Sequence, residues 1–237
     1  NSLNVAMARE LLAAAQQCDG NPNVRAVLIT GAGKMFSAGG DVRGFAQAGD
    51  NLVPTLREIL LHMHAAVSCF ARMNAPVIMA VNGMAAGAGF SLAISGDLVL
   101  VAESARFTMA YTGIGACPDG SASFYLPRIV GLTRARELML NNRMLSAQEA
   151  LDWGIATQVI ADDALQAEAL AQARKLAQGP TRAFGTVKRL LLSSFDNGLE
   201  TQMEQEAVGI TTLLSSADGR EGVAAFLEKR KPTFNGR

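Results

Sequence analysis

Pro76-Val77-Ile78-Met79-Ala80-Val81 runs directly into Asn82-Gly83-Met84-Ala85-Ala86-Gly87-Ala88-Gly89, and the fold is decided at this junction. The first part is a short apolar run bounded by proline and glycine, which reads as a strand covered on both faces. The second part is mostly glycine and alanine and opens a short helix predicted to run through Ile94. Outward from it the same pattern repeats. Residues 24–30 (VRAVLIT) form a second buried strand, followed by the loop Phe36-Ser37-Ala38-Gly39-Gly40-Asp41 and a long helix predicted over 52–73. Residues 98–102 (LVLVA) form a third strand, and residues 2–18 place Leu3, Met7, Leu11 and Ala14 on one helical face. Strand, small-residue turn and helix in alternation predict an α/β fold with parallel strands and helical crossovers.

From Thr133 onward the pattern is helical, over 136–141, 146–153, 162–178, 182–192, 199–214 and 219–229. Gly179-Pro180 is the clearest boundary, since glycine ends helices and proline starts them. A core over 1–179 and a C-terminal helical region over 180–237 are expected.

Composition narrows the function. A chain of 237 residues buries a large core without disulfide or metal, and 49% hydrophobic against 18% charged residues means a folded protein. Lysine plus arginine equals aspartate plus glutamate at 21 each, so no net field recruits nucleic acid or an acidic membrane. The 52–73 helix carries only Arg57 and Arg72 as basic residues, which argues against an RNA surface. Cys18, Cys69 and Cys117 form no CxxC pair and only His62 and His64 could add imidazole, so no metal site and a reducing, cytoplasmic setting are expected. The apolar runs are broken well before the about 18 residues that span a bilayer.

Two small-residue strand-to-helix turns are places where a ligand can approach the backbone. They suit a thioester, whose carbonyl oxygen gains negative charge on enolisation or addition and is stabilised by preorganised N–H donors. An N–H at a helix N-terminus, where Ala85-Ala86-Gly87-Ala88-Gly89 sits, adds the helix dipole. The same glycines equally serve tight turns and close packing, and Gly83, Gly87 and Gly89 do not follow the dinucleotide-binding order.

Taken together, 36–41 and 75–89, then Gly96-Asp97, Ala105-Arg106-Phe107 and the closing stretch 220–230, resemble the crotonase (enoyl-CoA hydratase/isomerase) superfamily along essentially the whole chain. The resemblance implies a spiral of ββα turns with a C-terminal helical trimerisation region, a homotrimer or hexamer, and acyl-CoA thioester substrates. Coenzyme A then arrives as part of the substrate, with no separate cofactor. It implies oxyanion-hole N–H groups at Gly40 and Ala88, Ala38 near the adenine, and Phe226 and Lys229 beside a neighbour's coenzyme A. It also implies a β-hairpin ahead of Asn1, an expectation in line with the missing initiator methionine.

The departures bear on the chemistry. Hydratases of this family carry two glutamates at the positions of Ser91 and Tyr111, and paired carboxylates are what water addition needs. One acid remains, Asp119 in Ala116-Cys117-Pro118-Asp119-Gly120, in a loop similar to that of ring-1,2-epoxyphenylacetyl-CoA isomerases and Δ3,Δ2-enoyl-CoA isomerases. A single acid that removes and returns one proton suits isomerisation. The chain also resembles 4-chlorobenzoyl-CoA dehalogenases, where an aspartate at the Asp119 position attacks the ring and a histidine stands at the His64 position. There a tryptophan stands at the Tyr111 position and a bulky aromatic at the Gly40 position, so isomerase is the favoured reading. A hydratase with an atypical site and a catalytically silent assembly subunit are the remaining alternatives. Among neighbours, Tyr111 and Ser91 are expected to line the substrate pocket, His64 to pack or contact substrate, His62 to be exposed, Cys117 to be inert packing, and Met79, Met84 and Met109 to shape an acyl tunnel.

Overall fold

The computed structural model describes residues 1–236; Arg237, the end of the expected C-terminal region, lies outside the described residues. Val77–Val81 is buried at every position, as an all-apolar strand must be. It pairs in parallel with Val27–Thr30 on one side and Leu98–Ala102 on the other, and Gln158–Ile160 adds parallel to Leu98–Ala102. Leu165–Ala177 packs across this sheet.

A second sheet explains the small-residue loops. Met35–Ser37, Met84–Ala86 and Arg106–Thr108 run parallel, and Leu145–Ser146 closes the edge antiparallel to Arg106–Thr108. Each of three passes of the chain therefore lays one strand in the first sheet, one in the second, and then a helix: Leu52–Arg72, Ala88–Ala93 and Ala122–Asn141 in turn. The last pass reverses the order, with Leu145–Ser146 in the second sheet before Gln158–Ile160 in the first and the helix Leu165–Ala177. This is the expected ββα spiral. Residues 82–89 and 36–41 were expected as loops but hold Met84–Ala86, the end of Met35–Ser37, and Gly39–Gly40, which pairs with Ser2–Leu3 in a separate two-stranded ladder. Strands of two or three residues are too short to show a period-two pattern.

Other boundaries shift for local reasons. The first helix starts at Val5, because the Asn4 side chain accepts from Met7 N–H and caps it. Its fully buried positions are Ala8 and Ala15, whereas Ala14 is exposed. The predicted 136–141 helix is the end of a longer one, Ala122–Asn141, interrupted where Gly131 leaves helical geometry. Met79 and Met109 are packed in the core rather than along a tunnel, and Met84 is partly buried.

The C-terminal helices are Thr181–Ser193, Leu199–Leu214 and Ala217–Leu227. The first is bolted to the spiral by Lys188, whose side chain is only 8% exposed and whose Nζ lies 2.7 Å from Asp97 Oδ2. The same ammonium donates to Phe70 O at 2.8 Å and Ala75 O at 3.0 Å, so it satisfies carbonyls at the end of the Leu52–Arg72 helix and just beyond it. Burial pushes the Lys188 pKa down and the Asp97 charge opposes that.

Candidate active site

Gly39 and Gly87 bring the two strand-to-helix junctions together. Both have positive φ, 84° and 52°, and a Cβ on Gly39 would stand 2.6 Å from Ala86 O and 3.3 Å from Ala88 N. Only glycine lets the Gly39–Gly40 strand approach the start of the Ala88–Ala93 helix so closely. Ala88 is the first residue of that helix, so its N–H has no partner within the helix. Gly40 sits opposite Leu3 in the short ladder, where the next N–H, that of Asp41, donates to Leu3 O at 3.0 Å. The space a side chain at Gly40 would take is filled by Phe45, whose ring lies 2.8 Å from the position of a Cβ. Phe45 was not anticipated. It is supplied by the short helix Val42–Gln47.

Ser91, Tyr111 and Asp119 form one hydrogen-bonded chain. Tyr111 Oη donates to Asp119 Oδ1 at 2.5 Å and lies 3.0 Å from Ser91 Oγ. An ionised carboxylate only accepts, so the phenol proton points to Asp119 and the Tyr111 oxygen is left to accept from Ser91. Ser91 is fully buried, with Oγ also 3.3 Å from Gly87 O, so any influence it has on a substrate passes through Tyr111. Burial raises the Tyr111 pKa far above the ordinary phenol range, and the neighbouring Asp119 charge adds to it. The phenol is held protonated, as a donor.

The backbone is strained on both sides of this pair. Ala110, just before Tyr111, has φ 57°, and Ser121, at the start of Ala122–Asn141, has φ 74°. Such conformations cost on the order of 1–3 kcal/mol each and gather at functional sites. Gly120 packs so tightly that a Cβ there would stand 2.6 Å from Met63 Cε and 3.1 Å from Ser91 Cβ. That contact carries Asp119 against two helices at once. The Gly120 N–H donates to His64 Nε2 at 3.2 Å. His64 therefore touches the turn that holds Asp119, although its side chain is exposed rather than packed in the core. His62 is partly buried, with Nδ1 2.7 Å from Glu58 O, and not exposed as expected. Cys117 is exposed, not packed.

Ala38 is exposed beside the Gly39–Gly40 strand. Phe226 and Lys229 lie on and just after Ala217–Leu227; Phe226 is 83% exposed, alongside exposed Val223 and Leu227. Met63, Gly120 and Ser121 escaped sequence reasoning. The one available signal was the Gly-Ser pair directly after Asp119, which permits left-handed backbone.

The arrangement offers one acid–base group with a dedicated donor, beside a backbone crossing able to bind an oxyanion. Comparison with known proteins gives a consistent result. The family model described as enoyl-CoA hydratase/isomerase matches residues 1–237. A 1,2-epoxyphenylacetyl-CoA isomerase from Escherichia coli (strain K12) is 40% identical over 238 residues, covering 100% of this chain and 91% of the relative. A 4-chlorobenzoyl coenzyme A dehalogenase-2 from an Arthrobacter species is 33% identical, covering 97% of this chain and 83% of the relative. The crystal structure of an enoyl-CoA hydratase from Polaromonas sp. JS666 superposes with a TM-score of 0.93 at 33% identity, covering 98% of this chain and 91% of that one.

Proposed function

The chain belongs to the enoyl-CoA hydratase/isomerase family, and we propose that within it this protein is an enoyl-CoA isomerase with Asp119 as its single acid–base group. The observation that carries this reading is the Ser91–Tyr111–Asp119 chain. The two positions where hydratases carry glutamates hold uncharged groups, and those groups are spent on orienting the one carboxylate.

In this reading the thioester carbonyl accepts from the N–H groups of Gly40 and Ala88. Asp119 takes a proton from the α carbon; the C–H pair becomes the enolate, whose charge the two N–H groups hold. The same carboxyl group returns the proton at the γ carbon, and the double bond moves by one position. Tyr111 keeps one carboxylate oxygen occupied and leaves the other for the substrate. No cofactor is needed beyond the coenzyme A of the thioester, and the setting is cytoplasmic. Ala38 lies towards the adenine. Phe226 and Lys229 act on a neighbouring subunit's coenzyme A in a trimer or hexamer, a role favoured by the exposure of Phe226, Val223 and Leu227 in a single chain.

A second reading, a dehalogenase with Asp119 as nucleophile, is favoured by His64 lying against the Asp119 turn. Against it, the His64 Nε2 lone pair is already taken by Gly120 N–H and is not free to activate the water that would release an aryl ester. The test is turnover of 3-enoyl, 2-enoyl, epoxyphenylacetyl and 4-chlorobenzoyl thioesters by the purified protein. Isomerisation with negligible hydration is expected; halide release with no isomerisation would replace this reading by the second.

A further inference from the structure

Gly120 and Ser121, next to Asp119, form one wall of a cavity of about 340 Å³ whose opposite wall is the Leu52–Arg72 helix. That helix presents His64, Ser68 and Arg72 to it, spaced four residues apart and so stacked along one face. Tyr125 stands across from them. The cavity shares Ala71, Phe124, Tyr125 and Leu192 with a larger one of about 470 Å³ that is also lined by Arg128, Asp97 and Lys188. The two are neighbours through these shared walls, the smaller is bounded by the turn that follows Asp119, and each is of a size typical for small ligands.

Their charges do not suit a plain hydrocarbon. Arg72 Nη1 donates to Ser68 Oγ at 2.7 Å, and among the described residues the guanidinium pairs with no carboxylate. Arg128 lies 3.7 Å over the Phe124 ring and donates to Phe124 O at 2.8 Å, while its buried Nε has no acceptor. The nearest acid to Arg128 is Asp196 at 3.8 Å, with a side chain 69% exposed. Asp97, the acid in the wall, is neutralised by Lys188 at 2.7 Å. Tyr125 sits within the field of both guanidiniums, yet burial keeps its phenol protonated and able to donate. Arg72 thus lines the smaller cavity, Arg128 the larger and Tyr125 both, beside apolar walls from Phe124, Val67 and Leu192.

We infer that the acyl group ends in a carboxylate, so that the substrate class is an ω-carboxyacyl thioester bound at its far end by Arg72, Tyr125 and Arg128. The inference rests on Asp119 being the reacting end. Ser121 and Tyr125 are one helical turn apart, about 6 Å at ~1.5 Å per residue, so the carboxylate must lie several bonds beyond the reacting carbons. A hydrocarbon tail would leave the buried Arg128 Nε without an acceptor, which is costly.

The test uses saturated thioesters, which bind without reacting. Calorimetric affinities are compared for ω-carboxyl and methyl-ended acyl chains of six, eight and ten carbons. The carboxyl form is expected to bind about ten- to hundredfold tighter at its best length. Arg72→Gln, at an exposed position, should erase most of that advantage, and Arg72→Lys should keep part of it. Methyl-ended chains binding as tightly at every length, or a preference untouched by Arg72→Gln and Arg128→Gln, would overturn the inference. A carboxyl preference in a protein that isomerises no enoyl thioester would uphold it and remove the proposed reaction instead.

Discussion

Tyr111 Oη donates to Asp119 Oδ1 across 2.5 Å, from a residue that follows one strained backbone position to a residue that precedes another. The pair ties the end of the second sheet to the start of the Ala122–Asn141 helix and fixes which carboxylate oxygen is free. Tyr111→Phe keeps the shape and removes the donor. Turnover should fall by about ten- to hundredfold, with KM for the thioester little changed, because the variant loses the group that orients the carboxylate and keeps the pocket's shape. Unchanged turnover would reduce Tyr111 to a pocket wall.

Asp119→Asn should bind coenzyme A thioesters as the parent does and lose at least about 10²–10⁴-fold in isomerisation, the usual contribution of a positioned acid–base group. Deuterium from solvent should enter the α or γ carbon in the parent protein and not in the variant. Hydration that survives at full rate in Asp119→Asn would defeat both proposed mechanisms.

Ala88→Pro removes one N–H at the first position of its helix, where proline fits without breaking the helix. Loss of one oxyanion donor should lower turnover by roughly 10²–10³-fold with the fold intact by circular dichroism. A folded variant with normal turnover would remove Ala88 from the oxyanion hole.

Alkaline titration gives a test that needs no substrate. The chain has two tyrosines, and burial raises the pKa of both Tyr111 and Tyr125, with Asp119 and Asp97 adding to it in turn. Groups with raised values contribute stability that is complete below the free phenol value of about 10 and is lost as pH rises through the folded values. Near-ultraviolet absorbance should therefore show almost no tyrosinate near pH ~10, then a joint rise as the protein unfolds. Independent ionisation of either tyrosine near its ordinary value would contradict the burial of these phenols.

Assembly is expected because Phe226, Val223 and Leu227 leave a single chain with an uncovered apolar face. Light scattering should give a trimer or hexamer, and Phe226→Asp should shift it towards smaller species. A monomer at micromolar concentration would rule out a neighbour's contribution to the site.

The sequence by itself determined the alternating architecture. Val77 to Val81 has no polar side chain to turn to water, so it had to be an inner parallel strand, and glycine and alanine at 85–89 left room for a backbone crossing. It also singled out Asp119, because its loop resembles that of isomerases in the family while Ser91 and Tyr111 stand where hydratases carry their two glutamates. It did not reveal the two- and three-residue strands of the second sheet, which carry too few side chains to show a pattern and exist only by pairing with one another. Nor could it reveal that Ser91, Tyr111 and Asp119 are one chain of hydrogen bonds, that Phe45 fills the space beside Gly40, or that His64 accepts from Gly120, 56 residues away. Those contacts join segments with no local preference for each other. The tertiary structure decided them, because only the packing of the spiral's turns sets which polar groups are buried together and must bond to one another.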